Sequence, residues 1–119
     1  MSSILVIDDD ETIRTLIRDL IQSDGHDVAE AGDGVEGLER FRENPCDLVI
    51  VDLAMPRMSG SQVVEVLRRE APETRIIVLT AYLSRATDTV GALGVDRVFL
   101  KPARLHELLA AVQELVGET

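Results

Sequence analysis

Two hydrophobic periods alternate along this chain. Short runs rich in Val, Ile or Leu stand at 4–7 (ILVI), 27–31 (DVAEA), 48–51 (LVIV), 76–79 (IIVL) and 98–100 (VFL), each of strand length. Between them, apolar residues recur at helical spacing. The first such stretch carries Ile13, Leu16, Ile17, Leu20 and Ile21, and Gly25 ends it. The second has a weaker stripe of Val35, Leu38 and Phe41 and stops near Asn44-Pro45. The third opens with Ser59-Gly60-Ser61-Gln62, a capping-box pattern, continues through Val63, Val64, Val66 and Leu67, and stops before Pro72. A fourth, about 84–93, is short, with Ala86, Val90 and Leu93. The fifth follows Pro102 and carries Leu105, Leu108, Leu109, Val112, Leu115 and Val116.

The pattern is (βα) five times over. Strands that are nearly continuous in apolar residues fit a parallel sheet covered on both faces. Strand–helix alternation with right-handed crossovers then predicts a doubly wound α/β sandwich. A length of 119 residues suits one domain, 1–119, with no output domain expected after the last helix.

Charge sharpens this picture. The net charge of −10 excludes a basic footprint for nucleic acid. Residues 1–59 hold 14 acids and 5 bases, whereas residues 60–119 hold 8 and 7, so the near-neutral second half is the easier docking surface. The single cysteine, Cys46, precludes an internal disulfide and fits a reducing cytoplasm. MSSILVIDDD has no basic segment followed by a long apolar stretch, and no run approaches a membrane span of roughly 18 residues.

In an open α/β sheet, ligands bind beyond the carboxyl ends of the strands. Asp8, Asp9 and Asp10 follow the first strand, Asp52 the third, Thr80 and Ala81 the fourth, and Lys101-Pro102 the fifth. Neighbouring first and third strands would gather these into one crevice. Like charges about 4 Å apart repel by roughly 4 kcal/mol at an effective dielectric near 20, so the acids need a cation. Hard carboxylate oxygens suit Mg²⁺. A carboxylate can itself attack phosphorus, and the incoming phosphoryl oxygens then require positive charge and donors, which Lys101 and the Thr80 hydroxyl supply. Lys101 is the only lysine beside eleven arginines.

VIDDD, VDLAMPRMSG, VLTA and FLKP, in this order on five βα units, identify a resemblance to the receiver domains of two-component response regulators, of the chemotaxis-regulator type. The resemblance covers nearly the whole chain. It implies a flavodoxin-like sheet of order 2-1-3-4-5. It also implies phosphoryl transfer from a histidine kinase or phosphotransfer protein to Asp52, with Mg²⁺ or Mn²⁺ held by Asp9, Asp52 and the Ala54 carbonyl, and by Asp8 through water. Thr80 and Lys101 would bind the phosphoryl group, and small Ala81 would leave the pocket open. The Lys101–Pro102 bond resembles a family peptide that is usually cis. Ala54 and Tyr82 stand where the family tunes phosphoryl lifetime, and Tyr82 is expected to shield the group from water. Val98 stands where receivers often carry an aromatic switch residue; Phe99, next along, should face the other way. Asp10 is expected to cap the first helix. Such a domain catalyses only its own phosphorylation and slow autodephosphorylation. Its output is a shift of the surface formed by the fourth helix, fifth strand and fifth helix, used to dock a partner protein or to form a phosphorylation-promoted homodimer.

Other readings compete. Asp8-Asp9-Asp10-Glu11-Thr12 also matches the D-x-D-x-T of haloacid-dehalogenase-like phosphatases, with Asp8 as nucleophile. That reading gives Asp52 no role and lacks a later acidic group at a strand end. A flavodoxin-like cofactor binder would need a phosphate-cradling loop, and three carboxylates would repel a phosphate there. A phosphorylation-independent pseudo-receiver is the remaining alternative. Taken singly, the triplet is an ordinary helix start, Cys46 a small residue near the third strand, and His26 and His106 surface residues. Stimulus, cognate kinase and downstream target are not encoded in these motifs.

Overall fold

The computed structural model describes residues 2–53, 55, 58–81, 91–101 and 104–116. Five parallel strands form one sheet: β1 (Ser3–Ile7), β2 (Asp27–Ala31), β3 (Leu48–Asp52), β4 (Arg75–Thr80) and β5 (Arg97–Leu100), in the order β2-β1-β3-β4-β5. The reversal between β1 and β3 opens the crevice anticipated from the strand ends. Register is continuous across the centre, with Ile7 opposite Val51 and Asp52 opposite Leu79. Thr80 lies opposite Leu100.

Helices α1 (Glu11–Ser23), α2 (Gly34–Glu43), α3 (Gly60–Glu70) and the C-terminal helix (Leu105–Leu115) cover the two faces. Of the fourth helical stretch, residues 82–90 lie outside the described residues, and Gly91 and Ala92 are helical. Strand alternation divides the interior into two cores. Leu5, Ile7, Val49, Val51, Ile76 and Val78 pack with Leu38, Phe41, Val63 and Leu67 of α2 and α3. Ile4, Val6, Ile50, Ile77 and Leu79 pack with Ile17, Ile21, Leu108 and Val112 of α1 and the C-terminal helix.

Local chemistry sets the helix ends. Asp10 caps α1, its carboxylate accepting the Thr12 and Ile13 amides, as expected from sequence. Ser59 and Gln62 form the full capping box of α3. Gly25 takes φ of 92° just past the α1 C-cap, where a side chain would be strained.

Three stripe residues, Leu16, Val35 and Leu105, prove exposed although their neighbours on the same stripes are buried. His26 corrects its assignment to the surface. The residue is buried; its Nδ1 accepts the Ser2 amide at 3.3 Å and its Nε2 lies 3.2 Å from the Asp24 carboxylate. Both ring nitrogens are thereby satisfied, which makes the burial tolerable. His106 is exposed, as expected.

Candidate functional site

Where β1 ends, Asp8 continues the ladder by donating its amide to Ala31 of β2 at 3.1 Å. Its side chain is fully buried. One carboxylate oxygen accepts the Asp10 amide at 2.9 Å, and the other lies 3.2 Å from the Lys101 ammonium. Asp52, the last residue of β3, is buried too, and its carboxylate also lies 3.2 Å from Lys101 Nζ. Asp9 is exposed above them. One carboxylate oxygen from each of Asp8, Asp9 and Asp52 falls within 4.8 Å of the others. Asp10, committed to its cap, is not in that group.

Position in the sheet explains this convergence. Lys101 follows β5, and its amide donates to the Thr80 carbonyl at 2.7 Å, which fixes where its stem starts. From there the ammonium bridges two acids that sit on β1 and β3, across the width of β4. Burial opposes the lysine charge, but the pull of Asp8 and then of Asp52 wins, and its pKa is raised above the ordinary value. Thr80 ends β4 and is buried at the same rim, and Ala81 beside it is exposed.

Behind Asp52, α3 approaches unusually closely. A Cβ on Gly60 would stand 2.2 Å from the Asp52 carbonyl oxygen and 2.6 Å from Leu53 Cα. Glycine is therefore what lets the α3 N-terminus close on the β3 end, and the Gly60 amide donates to the Leu53 carbonyl at 2.9 Å. A second support lies under Asp8. Arg14 of α1 donates from Nη1 to the Asp8 carbonyl at 2.8 Å and from Nε to Glu30 of β2 at 3.1 Å. Glu30 also accepts from Arg18 at 2.8 Å. Burial works against the Glu30 charge, yet its bonds to Arg18 and Arg14 hold its carboxyl below the usual range. Sequence reading passed over Gly60, Arg14 and Glu30. The available signals were the glycine inside a capping box and two arginines four residues apart on the helix that precedes a strand carrying Glu30.

The structure thus brings together Asp8, Asp9, Asp52, Thr80 and Lys101. Ala54, Tyr82 and Pro102 lie outside the described residues. Val98 is exposed on the sheet face of Thr80, whereas Phe99 packs into the opposite core, the alternation expected from sequence. Cys46 is half-buried just before β3, and burial pushes its thiol up to about 11, a poor setting for redox chemistry.

The donor set fits a hard divalent cation. Of the three carboxylates, Asp8 and Asp52 share one ammonium, so negative charge remains at a site lined by oxygen ligands.

A five-stranded 2-1-3-4-5 sheet with this acid–lysine crevice defines a flavodoxin-like signalling module. The comparison with known families is specific: the response regulator receiver domain model matches residues 4–113, and the chain belongs to that family. Response regulator MprA of Mycobacterium sp. (strain KMS) is 38% identical over 98% of this chain and 51% of its own length. Its Mycobacterium leprae counterpart is 37% identical with the same coverage. The chain therefore spans about half the length of these curated relatives. Among solved structures, a CheY-like receiver domain protein from Methanospirillum hungatei superposes with a TM-score of 0.95 at 26% identity, over 99% of this chain and 95% of that one. TrrA of Thermotoga maritima, solved in complex with Mg²⁺-BeF, gives 0.88 at 35% identity, over 97% and 99%.

Proposed function

We propose that Asp52 is the phosphoacceptor of this receiver, taking a phosphoryl group from the phosphohistidine of a sensor kinase or phosphotransfer protein. The observation that carries the proposal is the buried Asp52 carboxylate at the end of β3, sharing Lys101 with Asp8 while Asp9 and Asp8 offer oxygens within 4.8 Å. An Asp52 oxygen attacks phosphorus, the P–N bond of the donor breaks, and its electron pair leaves with the imidazole. Lys101 holds the carboxylate beforehand and the phosphoryl oxygens afterwards. The Thr80 hydroxyl donates to the same group. Asp8, Asp9 and Asp52 would hold Mg²⁺, which when bound supplies the positive charge that lets two anions approach. Orientation and charge are the main catalytic needs, since the donor arrives activated.

Phosphorylation then shifts a population between two conformers. Exposed Val98 and Leu100 on the edge strand and Leu105 at the start of the C-terminal helix support an output surface there, for a partner protein or a second copy. One cysteine and the absence, among the described residues, of a helix long and apolar enough to span a membrane support a cytoplasmic setting. An Asp8 phosphatase reading has less support, since Asp8 is fully buried behind Lys101 and the Asp10 amide.

Intact-protein mass spectrometry after incubation with acetyl phosphate tests the proposal. A single phosphoryl adduct that requires both Mg²⁺ and Asp52 is expected. An adduct that persists in Asp52→Asn and disappears in Asp8→Asn would overturn it.

A further inference from the structure

We propose that Arg14 is a positioning residue for the metal-binding acids: its guanidinium, braced by Glu30, fixes the Asp8–Asp9 peptide so that both carboxylates face Asp52. This rests on the reading that Asp8, Asp9 and Asp52 hold Mg²⁺.

The bonding is specific. Arg14 Nη1 donates to the Asp8 carbonyl at 2.8 Å, and that carbonyl belongs to the peptide joining Asp8 to Asp9. The other handles on this corner are already set. The Asp8 amide is bound to Ala31, and the Asp8 side chain to the Asp10 amide and Lys101. Tilt of the Asp8–Asp9 peptide is the remaining freedom, and it decides where Asp9 points. Arg14 is itself braced, with Nε on Glu30 at 3.1 Å and the other Glu30 oxygen on Arg18 at 2.8 Å. Its side chain is only 18% exposed, so bracing and packing both restrict it.

Arginine suits the task because one planar fork serves a carboxylate and a carbonyl at once. The ion pair with Glu30 on β2 also directs the charge of Arg14 to an acid outside the triad. Lys101 differs, because it binds two of the acids that the cation needs.

The sign of the effect separates positioning from charge. A nearby cation acting only through its field would repel Mg²⁺, so its removal would tighten binding. A positioning role predicts the reverse. Calorimetric titration of Mg²⁺ into wild type, Arg14→Lys, Arg14→Met and Glu30→Gln reads this directly, with folding checked by circular dichroism. Metal affinity should fall about tenfold in both Arg14 variants, the lower end of what lost outer-shell bonds cost. In Glu30→Gln it should fall less. The double variant Arg14→Met/Glu30→Gln should be no weaker than Arg14→Met. Amide hydrogen exchange of metal-free Arg14→Lys should speed up at Asp9 and Asp10.

Unchanged or tighter Mg²⁺ binding in folded Arg14→Met overturns the proposal, as does a fall in melting temperature with affinity preserved. If Arg14→Met does not fold, Arg14→Lys decides by the same titration, and wild-type affinity there overturns it. Wild type that binds no Mg²⁺ would instead refute the metal reading, a separate outcome.

Discussion

Lys101 bridges two buried carboxylates through one ammonium, and this makes it the most pH-revealing residue of the site. Its folded-state pKa is raised: burial opposes the charge, but Asp8 and Asp52 outweigh it. The stabilisation it brings is therefore complete below the ordinary lysine value of about 10.4 and is lost as pH climbs through the higher folded value. Without Mg²⁺, the stability gap between wild type and Lys101→Met, measured by urea unfolding, should stay level from about pH 8 to about pH 10 and narrow above that. A gap that closes near pH 8 would show that the ammonium is not held by these acids. Residues such as Lys101, Asp52 and Thr80 were legible in the sequence because each ends a strand, where chain order alone assigns them to one rim. Arg14 and Glu30 were not, because their partnership crosses from a helix to a strand and leaves no local period. His26 misled for a related reason: its burial depends on Ser2 and Asp24 meeting its ring, a tertiary event.

The elements matter through their ends. Asp10 bonds two amides of the first α1 turn, and Asp10→Ala should cost about 1 kcal/mol of stability. The same variant should still take up phosphate from acetyl phosphate, which mass spectrometry would check; loss of the adduct would bring Asp10 into the site. At α3, Gly60→Ala sets a methyl group against the Asp52 carbonyl, backbone that can yield only by shifting the strand end. A loss of about 1–3 kcal/mol is expected by analogy with overpacked cores, together with slower phosphorylation. Normal kinetics in a folded Gly60→Ala would show that Asp52 is placed without this close approach. All five strands were readable to within a residue at each end, four of them because short runs of Val, Ile, Leu or Phe leave little choice of state. Helix faces were read less well. Leu16, Val35 and Leu105 share stripes with buried residues yet lie exposed, because periodicity marks a direction and not how far the neighbouring element extends.

For the whole molecule, the two cores on either side of the sheet hold the crevice but do not neutralise it. A ligand that binds only the folded chain stabilises it by mass action, by about 2.7 kcal/mol at a hundredfold excess over Kd. The melting temperature of wild type should therefore climb steadily as Mg²⁺ is titrated, and Asp52→Asn should flatten that climb; equal slopes would remove Asp52 from the metal site. The topology also bears on biogenesis. Asp8 and Lys101 meet across 93 positions of sequence, and the bond between them joins the first strand's end to the last. During synthesis the acids that follow β1 emerge early and wait, unneutralised by their lysine, until the fifth strand has left the ribosome. A chain that stops or is clipped before Lys101 thus cannot assemble the crevice, and an assembled crevice becomes a certificate that the polypeptide has been made through its fifth strand.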